Sequence, residues 1–129
     1  MNSTELQTTW APRLLGILRI VAAVLFIEHG TQKLFGLPPP AHGMPETFTL
    51  IWFAGVLETF GGLLILIGLF TRPVAFLLSG QMAVAYWMAH APQSPYPALN
   101  GGDAAILFCF LFLYLVAAGP GAFSLDKAR

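Results

Sequence analysis

Charge is what this chain most lacks. Of 129 residues, six are Lys or Arg and six are Asp or Glu, a 9% charged fraction against about 25% in ordinary soluble domains. The two signs cancel, so the composition offers nucleic acid no basic surface and implies no acidic partner. Cysteine is nearly absent too. Cys109 stands alone within an apolar run, which excludes an internal disulfide and any CxxC pair for dithiol exchange. A lone thiol in such surroundings is ordinarily inert. The first ten residues, MNSTELQTTW, hold no positive charge, so the basic start of a cleaved signal peptide is missing. The first apolar segment is therefore expected to stay in the mature protein as a span. Period-two alternation is also lacking in the apolar segments, which excludes a transmembrane β-barrel.

What is present is hydrophobic surface. Apolar residues make up 57% of the chain, and the mean hydropathy is +0.73. Lipid is the solvent that suits this composition, and the length suits one domain. Four apolar segments can be cut out, about Pro12 to Phe35, Thr47 to Phe70, Pro73 to Ala91 and Gly102 to Ala118. Each approaches the ~20 residues that cross ~30 Å of hydrocarbon as a helix. The breaks are GLPPPAHGMPE, Thr71-Arg72-Pro73 and APQSPYPALNGG, where proline removes backbone donors or starts a new helix. The expected fold is all-α, a transmembrane antiparallel four-helix bundle with short connections.

Orientation follows from the few cations. With the N-terminus in the cytoplasm, Arg13, Arg19, Arg72, Lys127 and Arg129 lie inside and only Lys33 lies outside, as the positive-inside rule requires. Both termini are then cytoplasmic. In that arrangement Glu28, His29 and Lys33 end the first helix on the outer side. Glu58 lies roughly 16 Å down the second helix at about 1.5 Å per residue. His90 ends the third helix, and Asn100 and Asp103 open the fourth. The polar groups other than Arg19 are thus expected to converge on the outer half of the bundle.

Helical faces sharpen the expectation. Arg19, Phe26, His29, Gly30 and Lys33 share one side of the first helix, while Glu28 points away. On the second helix a stripe of small residues surrounds Glu58, placing it toward the interior. The third lines up Ser79, Ala83, Tyr86 and His90, and the fourth Asp103, Phe110, Tyr114 and Ala117. Trp10, Trp52, Trp87 and Tyr96 fit interfacial anchors.

Glu58 carries the strongest signal, because an ionisable group at membrane depth needs a partner, water or a job. It reads either as a proton-carrying or ligand-binding carboxylate, or as one half of an ion pair with Arg19 or Lys33. Lys33 reads equally as a snorkelling cation, an account that suits the Glu28–His29 doublet less well. Asn100 and Asp103 read first as helix caps and second as part of an anion site. Glu28, His29, Glu58, His90 and Asp103 are plausible metal ligands by type, but no HxxxH or ExxH pair occurs and no metal is assigned. Nor is there a haem, flavin or iron–sulfur motif.

These residues fall into a recognisable order. Phe26-x-Glu28-His29-Gly30-x-x-Lys33-Leu34-x-Gly36 is followed by Gly55-x-x-Glu58-x-x-Gly61-Gly62. Gly68-Leu69-x-Thr71-Arg72, Met82 with His90, Asn100-Gly101-Gly102-Asp103, Gly119-Pro120-Gly121 and Ser124-Leu125-Asp126 complete it. In this the chain resembles the DoxX family of small membrane proteins over residues from about 13 to 126. Asp103 stands where glutamate is common in the family, a departure that keeps the charge. The resemblance implies a single DoxX-like domain over 1–129 in the bacterial cytoplasmic (inner) membrane. It also implies association with redox systems, since the family shares its name with the small subunit of a thiosulfate:quinone oxidoreductase, and other members are linked to oxidative-stress tolerance. The resulting expectation is a redox-associated subunit with a partner subunit or a second copy and a polar pocket for a quinone-like ligand. Glu58 and His29 are its catalytic candidates; Glu28, Lys33, His90, Asn100, Asp103 and Arg19 are its ligand-binding candidates. A scaffold or assembly factor is the first rival, and a small-solute or ion transporter acting as an oligomer is the second.

Overall fold

The computed structural model describes residues 1–127, and among them the chain is all-helical, with no strand. Four long helices organise it: α1 (Ala11–Phe35), α2 (Leu50–Ile67), α3 (Thr71–Ala85) and α4 (Asp103–Ala118). One helical turn and a π-helical turn precede α1, so helical structure runs from Ser3 to Phe35. That stretch and α2 are long and apolar enough to cross a membrane; α4 is apolar but shorter.

Local chemistry sets the boundaries. Gly36 ends α1 in the left-handed conformation, its N–H bonded to Gln32 O at 3.1 Å and that of Leu37 to Thr31 O at 3.4 Å. Gly68 ends α2 in the same way. These are glycine stops that satisfy otherwise orphaned carbonyls. The expected second segment, 47–70, therefore loses both ends: Thr49 caps α2 through its hydroxyl, and Gly68 closes it. The third helix starts at Thr71, two residues before the expected Pro73. Its α-helical part stops at Ala85 and passes into a π turn over Tyr86–His90.

The helices pack through small residues. Along α1 the order Ile27, Gly30, Lys33 meets Gly62, Thr59, Gly55 of α2, and a Cβ on any of those three glycines would lie within 3.0 Å of the facing helix. Leu78 of α3 packs on Gly61, and Gln81 reaches Ala54 O of α2. On the other side Ser79 Oγ donates to Cys109 O of α4 at 2.8 Å. Phe26, Ile65, Leu78, Phe112 and Leu115 form the buried apolar core, with Phe26 edge-on to Phe112 at 4.9 Å.

The fourth helix turns differently from expectation. Asp103, Phe110 and Tyr114 face outward, and Ala105, Phe112 and Leu115 face the core. The reason is polarity: Phe112 and Leu115 bury no polar atom, whereas a buried Tyr114 hydroxyl would need a partner. Much of the outer surface is apolar as well, including Leu14, Ile17, Val21 and Val24 of α1 and Phe53, Phe60 and Leu63 of α2.

Residues 119–127 form a strap across the end of the molecule where α1 begins. Ala122 N–H bonds to Pro12 O at 2.9 Å, Leu125 N–H to Ile67 O at 3.0 Å and Asp126 N–H to Gly68 O at 2.8 Å. The strap lies tight against Gly16, where a Cβ would come within 2.3 Å of Ala122 O.

Candidate functional site

Lys33 and Glu58 form the polar centre of the α1–α2 seam. Gly55 lets the Lys33 stem cross close to α2, and Gly30 lies against Thr59. The ammonium donates to both carboxylate oxygens, at 2.8 Å to Oε1 and 2.6 Å to Oε2. The Glu58 side chain is 4% exposed and that of Lys33 is 28% exposed, so the pair is closed inward and reachable from the Lys33 side. Gln81 of α3 completes the group. Its amide donates to Glu58 Oε1 and Ala54 O, each at 3.3 Å, while its own Oε1 is buried without a partner. His29, one turn before Lys33, is exposed and does not share the inward side expected for it. Glu28 is exposed and turned aside, as the helical wheel requires.

The expected single cluster is two. His90 Nδ1 lies 3.0 Å from Asn100 O, and its ring stacks on Tyr86 with centroids 6.4 Å apart. Asn100 is buried and fully employed: its amide donates to Tyr86 Oη and Ser94 O, and its Oδ1 accepts from Gly102 N–H at 2.8 Å. Asn100 thus organises the turn into α4, whereas Asp103 is exposed and, among the described residues, makes no cap. Among the described residues no hydrogen bond joins this group to Glu58. His90 lies nine positions after Gln81, roughly 13 Å along a helix at about 1.5 Å per residue.

Arg19 belongs to neither cluster. Wholly buried, it turns to the strap, where Nη1 donates to the carbonyls of Pro120 and Ala122, and Nη2 donates to Phe123 O at 2.6 Å. The ion pair of Glu58 is therefore with Lys33 and not with Arg19. Asp126 closes the same end by accepting from Phe70 N–H and Thr71 N–H, each at 2.9 Å, at the start of α3. Burial pushes its carboxyl upward, but hydrogen bonds from Thr71 and Phe70 and the charge of Arg19 outweigh that and hold it below the ordinary carboxylate range.

Sequence reasoning missed Gln81 and the strap. Gln81 is the one amide in the apolar run of α3, a signal that a search for charge passes over. The strap was visible as Gly119-Pro120-Gly121 and Ser124-Leu125-Asp126, but nothing in that pattern names Arg19 as its partner. Among the described residues, no three of His, Cys, Asp and Glu gather closely enough to hold a metal ion. Arg129, counted among the inner cations, lies outside the described residues.

This centre can do three things chemically. Lys33 can donate a hydrogen bond or stabilise negative charge, Glu58 can hold or pass a proton, and the Gln81 oxygen can accept a bond it does not yet make.

Comparison with known proteins agrees in one direction. The DoxX family pattern matches residues 14–91. An uncharacterized protein of Haemophilus influenzae is 41% identical, covering 98% of this chain and 96% of its own length. The inner membrane protein YphA of Escherichia coli is 30% identical over 90% of each chain. No solved structure matches. Through a family match that takes in both Lys33 and Glu58, and relatives aligned nearly end to end, this chain belongs to the DoxX family of membrane proteins.

Proposed function

We propose that this chain is a bacterial inner-membrane subunit that assists a redox partner, with Lys33 and Glu58 receiving the polar head of a quinone-like ligand. The supporting fold is a transmembrane antiparallel four-helix bundle. The contact order Ile27–Gly62 to Lys33–Gly55, the apolar outer surface and the relative described as an inner membrane protein all support it. Arg13, Arg19, Arg72 and Lys127 belong to one end, and the positive-inside rule assigns that end, with both termini, to the cytoplasm.

One observation carries the reading: a carboxylate 4% exposed in an apolar helix, paired to a lysine that is open at one edge. A pair this buried is weak as a source of stability, so its place in the membrane favours a chemical task. A quinone carbonyl would accept from Lys33, which would stabilise the charge that develops on reduction. The partner supplies two electrons and is oxidised, Glu58 passes on the two protons taken from water, and the product is the quinol. His29, one turn before Lys33 on α1, is the second proton-handling candidate.

A scaffold role has one observation in its favour, since Lys33 already occupies both Glu58 oxygens. Activity per folded complex separates the two. With Glu58→Gln, a pocket role predicts a loss of quinone reduction in the purified complex. A scaffold role predicts less complex, with each complex working normally.

A further inference from the structure

The end opposite Lys33–Glu58 holds a second group of side chains that the reading above does not use. The Arg72 guanidinium is fixed in place, Nη1 donating to Val116 O at 2.9 Å and Ala117 O at 2.6 Å, the last carbonyls of α4. A cation suits a helix C-terminus, but this one is only half employed. Among the described residues, no hydrogen bond engages its Nε or Nη2, and no carboxylate pairs with it. Gly119 keeps that outer edge clear, since a Cβ there would come within 3.0 Å of Nη2. Exposed Lys127 is likewise without an ion pair among the described residues.

Arg72 and Lys127 line one open cavity of about 810 Å³ between the strap and the start of α3. Asp126 also lines it, but both its oxygens are committed to Phe70 and Thr71 N–H groups, with Arg19 as its neighbouring charge. Among the described residues, two cations therefore remain unbalanced. The rim is aromatic: Phe70 is 61% exposed and Phe123 65%. Both are held at positive φ, 51° and 59°, a region L-residues rarely adopt. Asp126 fixes one backbone and Arg19 the other, so the two phenyl groups are presented outward by design of the strap.

We propose that this cavity binds the head group of an anionic phospholipid. Arg72 gives the phosphate charge-assisted hydrogen bonds from its outer edge, and Lys127 adds a second charge. Phe70 and Phe123 pack at the level where head group meets acyl chain. Free phosphate would use the two cations but gain nothing from the phenyl groups, so the combination selects an amphiphile. The site is independent of what Lys33 and Glu58 bind.

The test is native mass spectrometry of the full chain in micelles containing equal phosphatidylglycerol and phosphatidylcholine. Phosphatidylglycerol should be retained in preference. Arg72→Gln and Lys127→Gln should each lower that retention about fivefold, the effect of one cation near an anionic surface. Lys127 makes no hydrogen bond to the fold among the described residues, so Lys127→Gln should keep the wild-type melting temperature and separate lost binding from unfolding. Glycerol 3-phosphate at the same concentration should not displace the lipid. Equal retention of the two lipids, unchanged retention in both variants, or displacement by glycerol 3-phosphate would each overturn the proposal.

Discussion

The Lys33 ammonium donates to both oxygens of Glu58, at 2.8 and 2.6 Å, across the seam between α1 and α2. Each partner leaves the other exposed to a large penalty if it is removed. Lys33→Met should destabilise the protein by about 3 kcal/mol, because it strands a buried carboxylate. Lys33→Met combined with Glu58→Leu should recover most of that loss. Chemical unfolding of the four proteins of this cycle in detergent checks it; simple additivity would show that the pair is not coupled.

The same seam depends on close backbone approach. A Cβ on Gly30 would lie 2.6 Å from Thr59 N, so Gly30→Ala should separate the helices and cost about 1–3 kcal/mol. Gly80 has open space around it, and Gly80→Ala should be neutral or stabilise by up to about 1 kcal/mol through helix propensity. Melting temperatures of the two variants should move in opposite directions or differ clearly.

Much of this seam was legible in the sequence. Gly55, Glu58, Gly61 and Gly62 recur at helical spacing, and that spacing alone put the carboxylate on the packed face. Residue type also marked Lys33 as a partner. Depth and rotation were less legible. His90, Asn100 and Asp103 share the outer end in a linear reading, yet Asn100 spends its polar atoms on the turn and Asp103 faces out. A helical wheel for α4 could not weigh Tyr114 against Phe112 without knowing that Phe26 waits opposite. Arg19 was the hardest case, because its partners are backbone carbonyls a hundred residues away and carbonyls leave no mark in side-chain composition.

Arg19 holds the strap through three carbonyls, and a single point charge cannot replace that fork. Arg19→Met should cost about 3 kcal/mol, since three partly buried carbonyls lose their donor together. Arg19→Lys should recover only part of it. Limited proteolysis should then cut within residues 119–127 in both variants while sparing the wild type. Equal resistance in all three proteins would contradict the assignment.

Asp126 should make the strap sensitive to acid. Its folded pKa lies below its unfolded value, so the folded protein binds the proton less readily. The stabilisation is present above the unfolded value and is lost as pH falls through the folded one, in the range below about pH 4. Asp126→Asn should lower the melting temperature at neutral pH, since the amide oxygen can accept only one of the two N–H bonds, a loss of about 1 kcal/mol. Below that range the variant and the wild type should converge. A difference that stays constant across pH would show that ionisation of Asp126 does not support the strap.

The most direct test of the redox-accessory account is the quinone content of protein purified gently from its native membrane. Wild-type protein with its partner should carry bound quinone, and Lys33→Met and Glu58→Gln should each lose most of it when quinone is counted per folded protein. Quinone retained at the wild-type level in both variants would contradict the account and leave Lys33 and Glu58 as interhelical structure.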